Sequence, residues 1–118
     1  MSERVLYTGG CHCGAVRYQV EADLSQTMVC NCSLCSKIGW ILALVPKEQF
    51  TLLSGEELLT DYQFNKKIIH HRFCQVCGVR SFSLGESAGK EMVAINVRCL
   101  DGVEADKLTP MPVDGKSL

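Results

Sequence analysis

The sequence has no hydrophobic run long enough to cross a membrane. Its longest clean apolar stretch covers residues 40–46, whereas a transmembrane helix needs roughly 20 consecutive apolar residues. Residues 1–10 also lack the apolar segment of a secretory signal peptide. We therefore expect no membrane partner and a cytoplasmic location, where thiols are kept reduced.

The sequence also lacks an excess of either charge. Twelve Lys and Arg residues against 13 Asp and Glu give a net charge of −1, whereas a nucleic-acid-binding domain is usually strongly basic. We therefore expect no nucleic-acid partner. A content of 47% hydrophobic and 21% charged residues excludes a disordered chain. One domain over residues 1–118 is the expectation, because a chain of this size buries about two-thirds of its surface.

Alternating apolar and polar residues predict a mainly β, antiparallel domain. Val16, Tyr18 and Val20 alternate with polar neighbours, which is the period of a half-buried strand. Further strands are predicted at residues 40–45 (buried on both faces), 50–53, 58–64, 68–73, 81–84 and 92–100, with a hairpin turn at residues 65–67. Residues 33–38 are the candidate for a single helical turn, and the tail from Asp101 is predicted to be a loop.

Cysteine is the compositional outlier, with eight among 118 residues. In a reducing compartment such a pattern indicates metal binding or catalysis more often than disulfides, which stay the alternative. The thiols form three groups and one single residue: Cys11 and Cys13; Cys30, Cys32 and Cys35; Cys74 and Cys77; and Cys99.

Two of these groups together supply a closed metal site. Cys74 and Cys77 have the spacing of a zinc knuckle, and Gly78 after them tolerates a positive φ. In extended backbone, Cys11 and Cys13 point to the same face and reach one ion. Because a structural zinc takes four ligands, the two pairs joined predict a tetrahedral four-cysteine site. Ordinary buried thiols are the alternative.

The middle group supplies three thiols. Cys30 and Cys32 share a strand face and Cys35 returns from a helical turn, so one zinc with an open fourth position is predicted, which is the catalytic pattern. The alternative makes Cys99 the fourth ligand and closes the site. The phase of Cys99 with Val97 in a strand favours a core position for it instead.

The three groups, in this order, resemble the family of glutathione-dependent formaldehyde-activating enzyme and centromere protein V. The matching stretches are residues 10–18 (GCHCGAVRY), 30–37 (CNCSLCSK) and 72–78 (RFCQVCG). The resemblance implies an antiparallel, β-tent-like zinc-binding fold. It also implies two zinc ions per chain, one structural on the four-cysteine set and one catalytic on the three-cysteine set.

The activity that the resemblance implies is that of a carbon–sulfur lyase acting on an adduct between glutathione and formaldehyde. Three thiolates weaken the Lewis acidity of Zn²⁺ and suit it to holding a substrate thiol as a thiolate. A small thiol such as glutathione is therefore the expected partner. The alternative is a non-catalytic zinc-binding module that binds other proteins, because a fold alone does not fix function.

Four further side chains are weaker candidates. Lys37 follows the third cysteine of the middle group and is the candidate contact for an anionic substrate. His70 and His71 fall on opposite faces of one strand, so at most one faces a given pocket. Trp40 begins a buried strand near the middle group and is expected to belong to the core.

Overall fold

A computed structural model of the chain describes residues 4–63, 69–87 and 89–114. Two β-sheets account for most of this part of the chain. The strands are β1 Val5–Gly10, β2 Arg17–Ala22, β3 Met28–Cys30, β4 Leu42–Pro46, β5 Phe50–Ser54, β6 Leu59–Tyr62, β7 His70–Cys74, β8 Phe82–Ser87, β9 Lys90–Asn96 and β10 Met111–Val113. The helix α1 is Cys35–Ile38, and single 3₁₀ turns cover Lys47–Gln49, Glu56–Leu58, Val97–Cys99 and Ala105–Lys107. The predicted mainly β fold is confirmed.

The smaller sheet has the strand order β1-β2-β5, and the larger has the order β10-β3-β4-β9-β8-β7-β6. Pairing is antiparallel except between β10 and β3, which are parallel. The tail predicted to be a loop therefore contains a strand, and that prediction is wrong. Its residues are too few and too proline-rich for a local signal, because β10 exists only through its pairing with β3.

The core lies between the two sheets and follows the predicted alternation of β2. Tyr18 and Val20 are fully buried. Tyr18 meets Phe50 and Phe82 with ring centroids 5.2 and 6.0 Å away, and the latter two are 4.8 Å apart. Tilted and edge-on contacts at these distances stabilise a core beyond area burial alone. The aromatic group thus joins the small sheet to the large one.

Strand bounds differ from prediction at three places. β1 was not predicted as a strand. The strand expected over residues 92–100 ends at Asn96, whose side chain accepts a hydrogen bond from Arg98 N (3.1 Å) and caps a 3₁₀ turn. The strand expected to be buried on both faces begins at Leu42, and Leu44 within it is 45% exposed. The hairpin turn predicted at residues 65–67 lies outside the described residues.

The predicted helical turn is confirmed as α1. It ends at Gly39, whose φ of 71° is the left-handed conformation that closes many helices. In the part of the chain that the structure describes, no helix has the length and apolar character to cross a bilayer.

Candidate metal centres

Four thiols converge at one end of the two sheets, from the two pairs that the sequence joins. Cys11 Sγ lies 3.5 Å from Cys13 Sγ, and Cys13 Sγ lies 3.7 Å from Cys74 Sγ. The sulfurs of these three and of Cys77 all lie within 4.8 Å of one another. A tetrahedral zinc with Zn–S bonds near 2.3 Å separates its sulfurs by about 3.8 Å. The four-thiol cluster therefore fits such an ion.

Cys11 and Cys13 reach the cluster from a turn between β1 and β2, so the expectation of extended backbone is wrong. The turn is closed by hydrogen bonds from Cys11 N to Val16 O (3.1 Å) and from Gly14 N to Cys11 O (3.3 Å). Val16 N also donates to Cys11 Sγ (3.4 Å). The pair thus converges through a folded loop, which a backbone donor fixes at the first sulfur.

Cys74 and Cys77 form the knuckle as predicted. Gly78 has φ 78° and donates its N–H to Cys74 O (2.7 Å), which closes the turn. The backbone N–H of Val79 lowers the pKa of Cys77 to about 6. A thiol with a lowered pKa is a ready metal ligand, because the thiolate is the form that binds.

Three thiols form a second cluster on the outer face of the larger sheet. Cys30 ends β3, Cys35 begins α1, and Cys32 lies between them, with all three sulfurs within 4.8 Å of one another. Cys35 N donates to Cys32 Sγ (3.3 Å) and Ser36 N donates to Cys32 O (2.9 Å). The turn into the helix therefore holds the cluster in place.

Cys99 does not belong to this cluster. Its thiol donates to Arg80 O at 3.7 Å, and burial raises its pKa to about 11. Among the described residues the second cluster holds three candidate ligands, with no fourth His, Cys, Asp or Glu grouped with them. All eight cysteines are free thiols. The geometry is that of a three-ligand set.

Trp40 contacts the second cluster directly, which the sequence analysis missed. Its Nε1–H donates to Cys35 Sγ at 3.3 Å, and its side chain is buried together with Cys35 and Leu42. Burial raises the pKa of Cys35 to about 12, and the Trp40 hydrogen bond acts in the opposite direction. The available signal was a tryptophan five residues after a cysteine.

The other candidates from the sequence lie in varied places. Lys37 is exposed on α1. His70 and His71 occupy opposite faces of β7: His70 Nδ1 lies 2.8 Å from Asp61 Oδ2 at the surface, and the buried His71 Nδ1 lies 3.3 Å from Ser83 Oγ. None of these three belongs to either thiol cluster.

His71 makes the stability of the fold sensitive to acid. Burial, with a smaller effect of the Arg80 charge, lowers its pKa from 6.5 to about 4. Between these pH values the unfolded state binds a proton that the folded state does not, so the free energy of unfolding falls as pH falls. We expect His71→Asn to remove about 2 kcal/mol of the loss between pH 7 and pH 5, measured by urea unfolding. Equal pH dependence in both proteins would contradict this assignment.

A mainly β domain that brings four and three cysteine thiols into two separate clusters is a candidate metalloprotein with two centres. The family is given by comparison. Residues 6–112 match the family model described as glutathione-dependent formaldehyde-activating enzyme, and the chain belongs to this family.

One solved structure, described as a Rhodobacter sphaeroides protein, shares this fold. It is 34% identical to this chain, covers 89% of it and is itself covered over 97% of its length, with a TM-score of 0.82. The fold of the chain is therefore shared over nearly the whole length of that protein.

Proposed function

We propose that the protein is a zinc-dependent carbon–sulfur lyase, which forms or breaks the adduct between a thiol such as glutathione and a small electrophile such as formaldehyde. The observation that carries the proposal is the three-thiol cluster of Cys30, Cys32 and Cys35 with no fourth ligand grouped with it among the described residues. The description of the matching family, which names glutathione and formaldehyde, supports the substrate class. We further propose that residues 1–118 act as one domain in the cytoplasm.

The donor sets fit two zinc ions of different roles. Sulfur is a ligand that zinc accepts in tetrahedral sites, and the spacing within the four-thiol cluster matches such a site. We assign Cys11, Cys13, Cys74 and Cys77 to a structural zinc, and Cys30, Cys32 and Cys35 to a catalytic zinc. When bound to three thiolates, a zinc ion supplies an open coordination position at which a substrate thiol loses its proton.

The side chains around the second cluster divide it into a buried and an accessible part. Cys35 is 8% exposed and is fixed by Trp40, whereas Cys30 and Cys32 are both partly exposed. A small molecule can therefore approach from the side of Cys30 and Cys32. The buried indole N–H holds the remaining sulfur in position and reduces the free-energy cost of its negative charge.

The test combines metal content with a thiol titration of the purified wild-type protein. We expect two zinc ions per chain by elemental analysis, and a saturable change in fluorescence when glutathione is added. Trp40 is the single tryptophan of the chain and contacts Cys35, so its emission reports on the second cluster. We also expect faster formation of the glutathione–formaldehyde adduct, followed by NMR exchange. Two zinc ions, no response to glutathione and no turnover would instead indicate a non-catalytic zinc-binding module.

A further inference from the structure

The second thiol cluster shares its sheet face with β7. Residues in register on neighbouring strands lie on the same face, and Leu44, Ala94, Ser83 and His71 form such a row across β4, β9, β8 and β7. Leu42 and Ala94, on this face, pack against the group that contains Cys35 and Trp40. Phe73 lies two residues from His71 in β7 and therefore also points to this face.

Arg80 reaches the same face from the segment after the knuckle. Its guanidinium carbon lies 5.5 Å from the centroid of the Phe73 ring, which is a cation–π contact. Its backbone is held by Asn96, whose Nδ2 donates to Arg80 O at 2.8 Å, and Asn96 is paired with Leu42 in the sheet. The guanidinium is thus fixed on the face that carries the three-thiol cluster.

The guanidinium of Arg80 has an unsatisfied, inaccessible nitrogen. Nη1 is shielded from solvent and has no hydrogen-bond partner among the described residues. By contrast, Arg17 pairs with Asp101, and Arg98 Nη1 lies 3.0 Å from Asp106 Oδ1. Burial lowers the pKa of Arg80, and the charge of Cys35 acts in the opposite direction, so the two groups are close enough to interact electrostatically. A desolvated cation without a hydrogen-bonded anion costs free energy that a bound anion offsets.

We infer that Arg80 binds a carboxylate of the thiol substrate while the thiol of that substrate reaches the Cys30, Cys32 and Cys35 cluster. This inference rests on the proposed function and narrows its substrate to thiols that carry a carboxylate. The planar guanidinium suits a carboxylate, with which it forms two parallel hydrogen bonds. Lys37, the candidate for this role in the sequence, lies exposed on α1 and lacks such a fixed position.

The test compares two thiols of equal chain length that differ in one group: 3-mercaptopropionate, which carries a carboxylate, and 2-mercaptoethanol, which carries a hydroxyl. Binding to the zinc-loaded protein is measured by calorimetry and by Trp40 fluorescence. We expect Arg80→Gln to weaken 3-mercaptopropionate binding about tenfold or more, the usual effect of losing a charged hydrogen bond. Binding of 2-mercaptoethanol is expected to change less than twofold.

Matched variants separate the explanations. Arg98→Gln removes an exposed, paired arginine and is expected to leave binding of both thiols unchanged. Arg80→Lys keeps the charge without the planar fork and is expected to lose part of the 3-mercaptopropionate affinity, which also covers the case in which Arg80→Gln does not fold. An equal loss for both thiols would overturn the inference, because Arg80 would then only balance the charge of the cluster. A selective loss in Lys37→Gln alone would assign the role to Lys37.

Propionate, which has no thiol, distinguishes failure of this inference from failure of the proposed function. If the wild-type protein binds propionate in an Arg80-dependent way but neither thiol, the carboxylate site stands and the lyase proposal fails. If it binds both thiols independently of Arg80, the lyase proposal stands and the carboxylate site fails. If it binds none of the three, both are wrong.

Discussion

Replacing Cys74 by serine is expected to prevent the domain from folding. Cys74 is fully buried where β7 ends, and its sulfur lies 3.7 Å from Cys13 Sγ, so it joins the β1–β2 turn to the larger sheet. Metal binding by a structural zinc site is worth about 10 kcal/mol or more, which is comparable to the whole stability of a domain of this size. We expect loss of the β-type circular dichroism spectrum and of soluble protein, and the same loss after treatment of the wild type with a strong chelator.

Cys99→Ser is the matched control. Cys99 is a thiol on the same chain that belongs to neither cluster, and its contact to Arg80 O is one that a serine hydroxyl can replace. We expect this variant to fold, to bind two zinc ions and to unfold within about 1 kcal/mol of the wild type. A folded Cys74→Ser protein with wild-type stability would show that the four-thiol cluster does not hold the structure together.

The cysteine groups could be recognised from the sequence because their chemistry is local. Two thiols separated by one or two residues approach one ion through short-range geometry alone, and Gly78 supplies the turn at the knuckle. The path of the backbone at Cys11 and Cys13 could not be recognised in this way. Their turn is packed against Gly55, where a Cβ would lie 2.5 Å from Ala15 O, and this contact joins residues 40 positions apart.

Other differences have the same origin. The strand β10 is stabilised by pairing with β3, which lies some 80 residues earlier, so its own residues carry no signal. The strand over residues 92–96 could be read from its alternation, but its end is set by the Asn96 side chain, which caps the 3₁₀ turn and removes Cys99 from the predicted phase. Long-range pairing and side-chain capping override a periodic pattern in both cases.

The residues around the second cluster were the hardest to predict. Trp40 and Arg80 contact the cluster or its surroundings only because the register of β4, β9, β8 and β7 brings their positions to one face. A tryptophan in an apolar run is usually a core residue, and an arginine after a knuckle is usually solvated. Only the burial of Arg80 Nη1 without a partner among the described residues distinguishes it from the paired Arg17 and Arg98.

Replacing Cys32 by serine is expected to abolish adduct turnover while the domain stays folded. Cys32 is partly exposed, and its sulfur accepts a hydrogen bond from Cys35 N at 3.3 Å, which a serine oxygen can also accept. The turn into α1 therefore keeps its main support. Two thiols hold zinc far more weakly than three, so we expect the bound zinc to fall from two ions per chain to one.

The expected loss of turnover is about a thousandfold or more, because an open metal position contributes several kcal/mol to the stabilisation of developing charge. The measurements are elemental analysis, thermal unfolding and NMR exchange between glutathione and formaldehyde, made side by side with Cys99→Ser. That control replaces a cysteine outside both clusters and is expected to retain two zinc ions and full turnover. A Cys32→Ser protein with one zinc ion and undiminished turnover would move the chemistry away from this cluster, since the remaining ion would then be held by the four-thiol cluster, which has no open position.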